Sequence, residues 1–109
     1  MSYYKDGDLK KFGNISDWAE GPGKKFFEWY GSVFAEGALT AREKSIIALA
    51  VAHAVQCPYC IEAYTEDTIK KGFSEEEMME AVHVAGAIRG GASMVHGVQM
   101  MNKAKDLLM

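Results

Sequence analysis

At 109 residues, with 49% hydrophobic and 25% charged side chains, the chain suits one globular domain and is too apolar to be disordered. A formal net charge of -3 without a basic patch argues against a nucleic-acid partner. The longest apolar run, Ile46 to Val55, is broken by His53 and falls well short of the roughly 20 residues a membrane span needs. Met1 to Asp6 lacks a basic-then-apolar leader, so no membrane and a reducing cytoplasm are expected. A domain this small has much surface for its volume, and oligomerisation would help it.

Residues 1–20 read as an N-terminal arm with scattered aromatics (Tyr3, Tyr4, Phe12) and no sustained period up to Asn14; Ser16 and Asp17 are candidates to cap a short turn. Gly21-Pro22-Gly23 breaks the chain, and a helix is predicted from Pro22 to Ala35. Phe26, Trp29, Tyr30, Val33 and Phe34 recur on one of its faces, better explained by core packing than by a cofactor-binding aromatic box. Thr40 and Glu43 have capping-box spacing, opening a helix to about Gln56 that is apolar nearly all round from Ile46 and should be central.

A third helix is predicted over Cys57 to Lys71, stopped by Gly72. Ser74 and Glu77 repeat the capping box and start a helix to about Ile88, after which Arg89-Gly90-Gly91 reads as a turn where helices approach closely. A last helix, Ala92 to Leu108, puts Met94, Val98, Met101 and Leu108 on one stripe. Nothing reads as a strand or a repeat, so residues 1–109 are expected to form a single all-α domain of five to six helices.

Both cysteines of the chain lie in Cys57-Pro58-Tyr59-Cys60. Pro58 lacks an amide hydrogen and fits the first helical position, which makes Cys57 the N-cap and puts Cys60 in the first turn. There, unpaired amides and the positive end of the helix dipole favour a thiolate, so Cys60 is the expected nucleophile. Two thiols at this spacing are a redox pair or half of a zinc site. Zinc would need two further ligands, and His53, His83 and His96 lack the paired spacing of zinc motifs, so no metal or other cofactor is expected. His53 precedes Cys57 by four residues and would point at its sulfur if the helix ran to its end; His96 and His83 are weaker candidates to line the pocket. Arg89 either holds an anionic substrate or is solvated, with the second preferred.

The stretch from Glu43 through Gln56 into Cys57-Pro-Tyr-Cys60, followed by Thr68-Ile-Lys-Lys-Gly72, Glu80-Ala-Val and Gly90-Gly91, resembles the carboxymuconolactone decarboxylase family, and within it the AhpD-like alkylhydroperoxidases. The resemblance runs from about Leu39 to Ala104. It implies a homo-oligomer, trimeric or hexameric, that reduces a small peroxide with its cysteine pair: Cys60 attacks, Cys57 resolves, and a thioredoxin-like or other dithiol reductant restores the pair. The family histidine four residues after the second cysteine is Tyr64 here, and the glutamate twelve residues before the first is Ser45, so the usual proton relay is absent. Tyr64 lies one turn beyond Cys60 and can donate a hydrogen bond, but a phenol of pKa about 10 is a poor base at neutral pH. The full-length pattern is similar to arsenosugar-biosynthesis-associated peroxidase-like proteins, which implies a peroxide or an arsenic-containing metabolite as substrate. A non-catalytic redox sensor or binding module is the alternative, as is a decarboxylase-type lyase, against which the cysteine pair counts.

Overall fold

The computed structural model describes residues 5–109. Among these there are five α-helices and one 3-10 segment, and no strand: the 3-10 segment Asp8–Asp17, α1 Glu20–Phe34, α2 Ala41–Ala54, α3 Pro58–Lys70, α4 Glu75–Val95 and α5 Gly97–Leu108. The all-helical expectation holds. Tyr3 and Tyr4 of the arm lie outside the described residues. The chain divides into two compact units, 1–45 and 46–109, the boundary falling inside α2.

In the first unit the arm is more ordered than its sequence indicated. The 3-10 segment packs on α1 through Phe12, whose ring meets Phe27 edge-on at 5.1 Å and Phe26 at 6.1 Å. Phe27, outside the expected stripe, thus joins the cluster, while Trp29 stays 62% exposed. Close approach depends on Gly23, where an added Cβ would fall 2.7 Å from Ser16 Cα, a backbone atom that cannot swing aside. Ser16 therefore serves this contact rather than a cap. Helix α1 ends at Phe34, and the Lys44 ammonium donates to the Val33 and Ala35 carbonyls at 2.7 and 2.6 Å, groups a helix end leaves without partners. The Thr40–Glu43 capping box forms, with the Thr40 amide donating to Glu43 Oε1 at 2.8 Å and the Glu43 amide to Thr40 Oγ1 at 3.0 Å. These bonds hold the Glu43 carboxyl below its usual range.

The second unit begins in α2, which buries Leu49 and Ala52 but leaves Ile47 and Val51 exposed, so its all-round apolar character is only half used within one chain. It ends earlier than expected. Gln56 takes a left-handed φ of 57°, the Cys57 amide donates to Ala52 O at 3.1 Å, and the Gln56 amide to His53 O at 3.2 Å. That is a Schellman ending with glutamine at the position glycine normally takes. Helix α3 ends the same way: Gly72 has a φ of 84°, with Phe73 N–H donating to Thr68 O and Gly72 N–H to Ile69 O.

The Ser74–Glu77 capping box opens α4 as predicted, but the helix then runs straight through Arg89-Gly90-Gly91 to Val95. Glycine lowers helix propensity by only about 1 kcal/mol per residue and does not by itself end a helix. No close approach explains the pair either, since a Cβ at Gly90 or Gly91 would meet nothing within 4 Å. The break comes at His96, and Met94 belongs to α4 rather than to the last helix. No helix among the described residues is long and apolar enough to cross a membrane.

Candidate functional site

Two helix ends meet at Cys57. Its amide completes the Schellman ending of α2, and its side chain is the N-cap of α3, with extended φ and ψ of −101° and 105°. Pro58 takes the first helical position, where its missing N–H leaves no bond unmade. Arg89 of α4 steadies the same corner from outside: its guanidinium donates to the Ala54 carbonyl, the last residue of α2. Arg89 is therefore neither a free anion hook nor simply solvated; it satisfies a helix C-terminus as a cation should.

The hydrogen bond between the two sulfurs, their burial and the capping amides together set their electrostatics. The Cys60 amide donates to Cys57 Sγ at 3.3 Å, and the sulfurs lie 2.8 Å apart, sharing one hydrogen bond. Both cysteines are reduced and half-buried. The Cys60 thiol hydrogen bond, together with the backbone amides of Cys60 and Tyr59, holds Cys57 below the usual thiol range, against a smaller opposing effect of burial. Burial, helped by the hydrogen bond and the negative charge of Cys57, pushes the Cys60 thiol up to about 11. This differs from the expectation that the first-turn cysteine carries the thiolate. The amides at the start of α3 converge on the capping sulfur, and Cys60 lies deeper, where desolvation outweighs its own amide.

A disulfide needs about 2.05 Å between sulfurs, so a shift of less than about 1 Å would close the bond. The pair can thus hold one negative charge, one proton, or a covalent link, which is the minimum for two-electron thiol chemistry.

The remaining expected residues are not gathered at the pair in the same way. Because α2 stops at Ala54, the helical spacing that would stack His53 on Cys57 does not apply. His53 Nδ1 donates to the Leu49 carbonyl at 2.8 Å. The ring lines a cavity of about 210 Å³ with Leu49, Thr65, Glu75, Met78, Met79 and Val82, and neither cysteine is in that wall. His83 and His96 are exposed, on α4 and at its C-terminal cap. Tyr64 is half-buried on α3 one turn beyond Cys60, and Ser45, at the position of the family glutamate, is 1% exposed. Among the described residues no group of three or more His, Cys, Asp or Glu side chains gathers as a metal site would require. Gln56 was not singled out in the sequence, although its left-handed turn aims Cys57 into α3; without the usual glycine, nothing local marks it.

Comparison with known proteins agrees with this fold. The model of the carboxymuconolactone decarboxylase family matches residues 23–103, extending the resemblance into α1. The chain is 46% identical over 76 residues to "Uncharacterized protein 4 in cox locus" of Paracoccus denitrificans, covering 70% of this chain and 65% of that protein, so it spans about two thirds of its relative's length. A crystal structure of a protein from Methanobacterium thermoautotrophicum superposes with a TM-score of 0.70 at 34% identity, covering 75% of this chain and 94% of the other. The fold is also shared, at TM-score 0.55 and 23% identity over 74% of this chain and 93% of the other, with a Thermotoga maritima carboxymuconolactone decarboxylase family protein described with a possible part in antioxidative response. With the family model spanning most of the chain and the all-helical fold matching, the protein belongs to the carboxymuconolactone decarboxylase family.

Proposed function

We propose that the protein is a thiol-dependent peroxidase, with disulfide reduction as the partner half-reaction, cycling Cys57 and Cys60 between dithiol and disulfide. The observation that carries this reading is the sulfur pair 2.8 Å apart at the N-terminus of α3, one sulfur favoured as thiolate and the other kept as thiol. The oxidant is a small peroxide, and a thioredoxin-like or other dithiol reductant, working in a reducing cytoplasm, returns the pair to the dithiol. The antioxidative description of the Thermotoga maritima relative is in keeping with this chemistry.

Intact mass after treatment with one equivalent of peroxide tests it. The expected result is loss of two hydrogens, with the two cysteines joined within one proteolytic peptide. An unchanged mass, together with no peroxide consumption in the presence of dithiothreitol, overturns the reading.

The functional unit is a homo-oligomer, trimeric or hexameric. Leu49, Ala52 and Ala85 are the buried apolar residues among those described, whereas Ile88 (70% exposed), Met94 (77%) and Val98 (57%) face outward on α4 and α5. Apolar area on this scale is usual at subunit contacts and unusual on a monomer. Light scattering on the purified protein should give three or six times the 12.0 kDa chain mass; a monomer at micromolar concentration would overturn it.

A further inference from the structure

We propose that the cavity between α2, α3 and the start of α4 is a binding site for a small primary amine, a protonated amino group carried on a compact aromatic or alkyl body. The site goes beyond the peroxidase reading and does not depend on it, since neither cysteine is in the wall. Size limits the ligand first. A cavity of about 150 Å³ in a protein interior accepts benzene, so one of about 210 Å³ has room for roughly two heavy atoms more. Well-packed interiors leave few spaces that large. The body of the ligand is set by Leu49, Met78, Met79 and Val82, four apolar side chains from α2 and α4. Two of them are thioethers, which adapt to the outline of a guest and make favourable contacts with aromatic rings.

The polar groups of the wall set the other end of the ligand. Thr65 Oγ1 donates to the Ile61 carbonyl at 2.6 Å and His53 Nδ1 to the Leu49 carbonyl at 2.8 Å, so both spend these hydrogens on their own helices. The Thr65 oxygen keeps its lone pairs, and the Glu75 carboxylate has only acceptors to offer. Glu75 makes no side-chain hydrogen bond or ion pair among the described residues, unlike Glu77, which accepts from the Ser74 amide at 2.8 Å. An unpaired negative charge beside an apolar wall fits a ligand that brings positive charge and hydrogen-bond donors together. An ammonium has three such donors and no acceptor. A carboxylate ligand would meet like charge, and a neutral alcohol would leave the charge unanswered. A metal ion fits less well, because His53 and Glu75 are two ligands, and no group of three or more His, Cys, Asp or Glu gathers among the described residues. All three glutamates of the first turn suit the positive end of α4, but of these Glu75 alone also lines the cavity. That difference supplies a control.

Benzylamine, protonated at neutral pH, is the probe, with benzyl alcohol and benzoate as neutral and anionic counterparts on the same ring. Calorimetric titration into the intact protein should give a Kd of about a millimolar or tighter for the amine, an ordinary affinity for a molecule of this size. The alcohol should bind at least about threefold more weakly, and benzoate should not bind at the same concentrations. Glu75→Gln should lower the affinity for the amine at least about threefold and leave the alcohol unchanged. Glu76→Gln removes the same charge from the same turn but outside the wall, and at physiological salt it should leave both affinities unchanged. Isotope-labelled methionine methyl groups locate the ligand by NMR: the signals of Met78 and Met79 should move on titration while those of Met94 and Met101 stay in place. No saturable binding of the amine, equal losses in the two glutamine variants, or shifts spread over all the methionines overturns the site. An alcohol that binds as tightly as the amine overturns the amine assignment. Helical content of each variant is checked by circular dichroism, and the ligand series and the methyl shifts test the site on the wild type alone.

Discussion

Steady-state reduction of peroxide by dithiol is expected to fall by on the order of a thousandfold or more in both Cys57→Ser and Cys60→Ser, for two different reasons. Removing Cys57 removes the sulfur best supported as a thiolate, and a serine hydroxyl in its place is far too weak an acid to ionise in the same field. Removing Cys60 leaves that thiolate in place but prevents the pair from closing, so oxidation stops after one turnover at the sulfenic acid and advances to irreversible states with excess peroxide. Groups that act as a unit give single-site losses nearly as large as the double loss, so Cys57→Ser/Cys60→Ser should be no more than marginally slower than either. Coupled peroxide assays under multiple-turnover and single-turnover conditions distinguish the variants. Retention of more than about a tenth of the wild-type rate in the double variant would place the activity elsewhere in the chain.

For stability, the largest single effect should come from Leu49→Ala. Leu49 is 1% exposed, the largest apolar side chain buried among the described residues, and it forms part of the wall of the cavity shared with His53. Truncation there loses the transfer free energy of the removed carbons and enlarges a space that is already open, at a cost of about 2–5 kcal/mol. Set against a typical domain stability of about 5–15 kcal/mol, this lowers the urea midpoint steeply. The His53 bond to the Leu49 carbonyl uses backbone and survives the change. Thiol labelling of the folded variant should therefore match that of the wild type. A shift below about 1 kcal/mol would mean that the site collapses onto neighbouring side chains, contrary to a wall held by three helices.

Much of the architecture was readable because it depends on chemistry within a turn or two of each residue. The two capping boxes, Pro58 at the first position of α3 and Gly72 after its end all act through bonds to near neighbours, and all four formed as read. The position of Cys57 as cap followed from Pro58 alone. Where the reading went astray, no local signal discriminated. Gly90-Gly91 has the composition of a turn, but the helix carries through it, and Gln56 adopts a glycine's conformation because the corner between α2 and α3 demands it.

By itself the chain determined an all-helical fold with two thiols one turn apart at a helix start, since propensity, capping and spacing operate over a few residues. Which sulfur its surroundings favour as thiolate depends on tertiary structure. The hydrogen bond between the sulfurs, the depth of burial and the cap amides set that balance, and none of them is written in the order of the residues. The same holds for His53: α2 ends before Cys57, and the imidazole donates to the Leu49 carbonyl and lines a cavity whose wall includes neither cysteine.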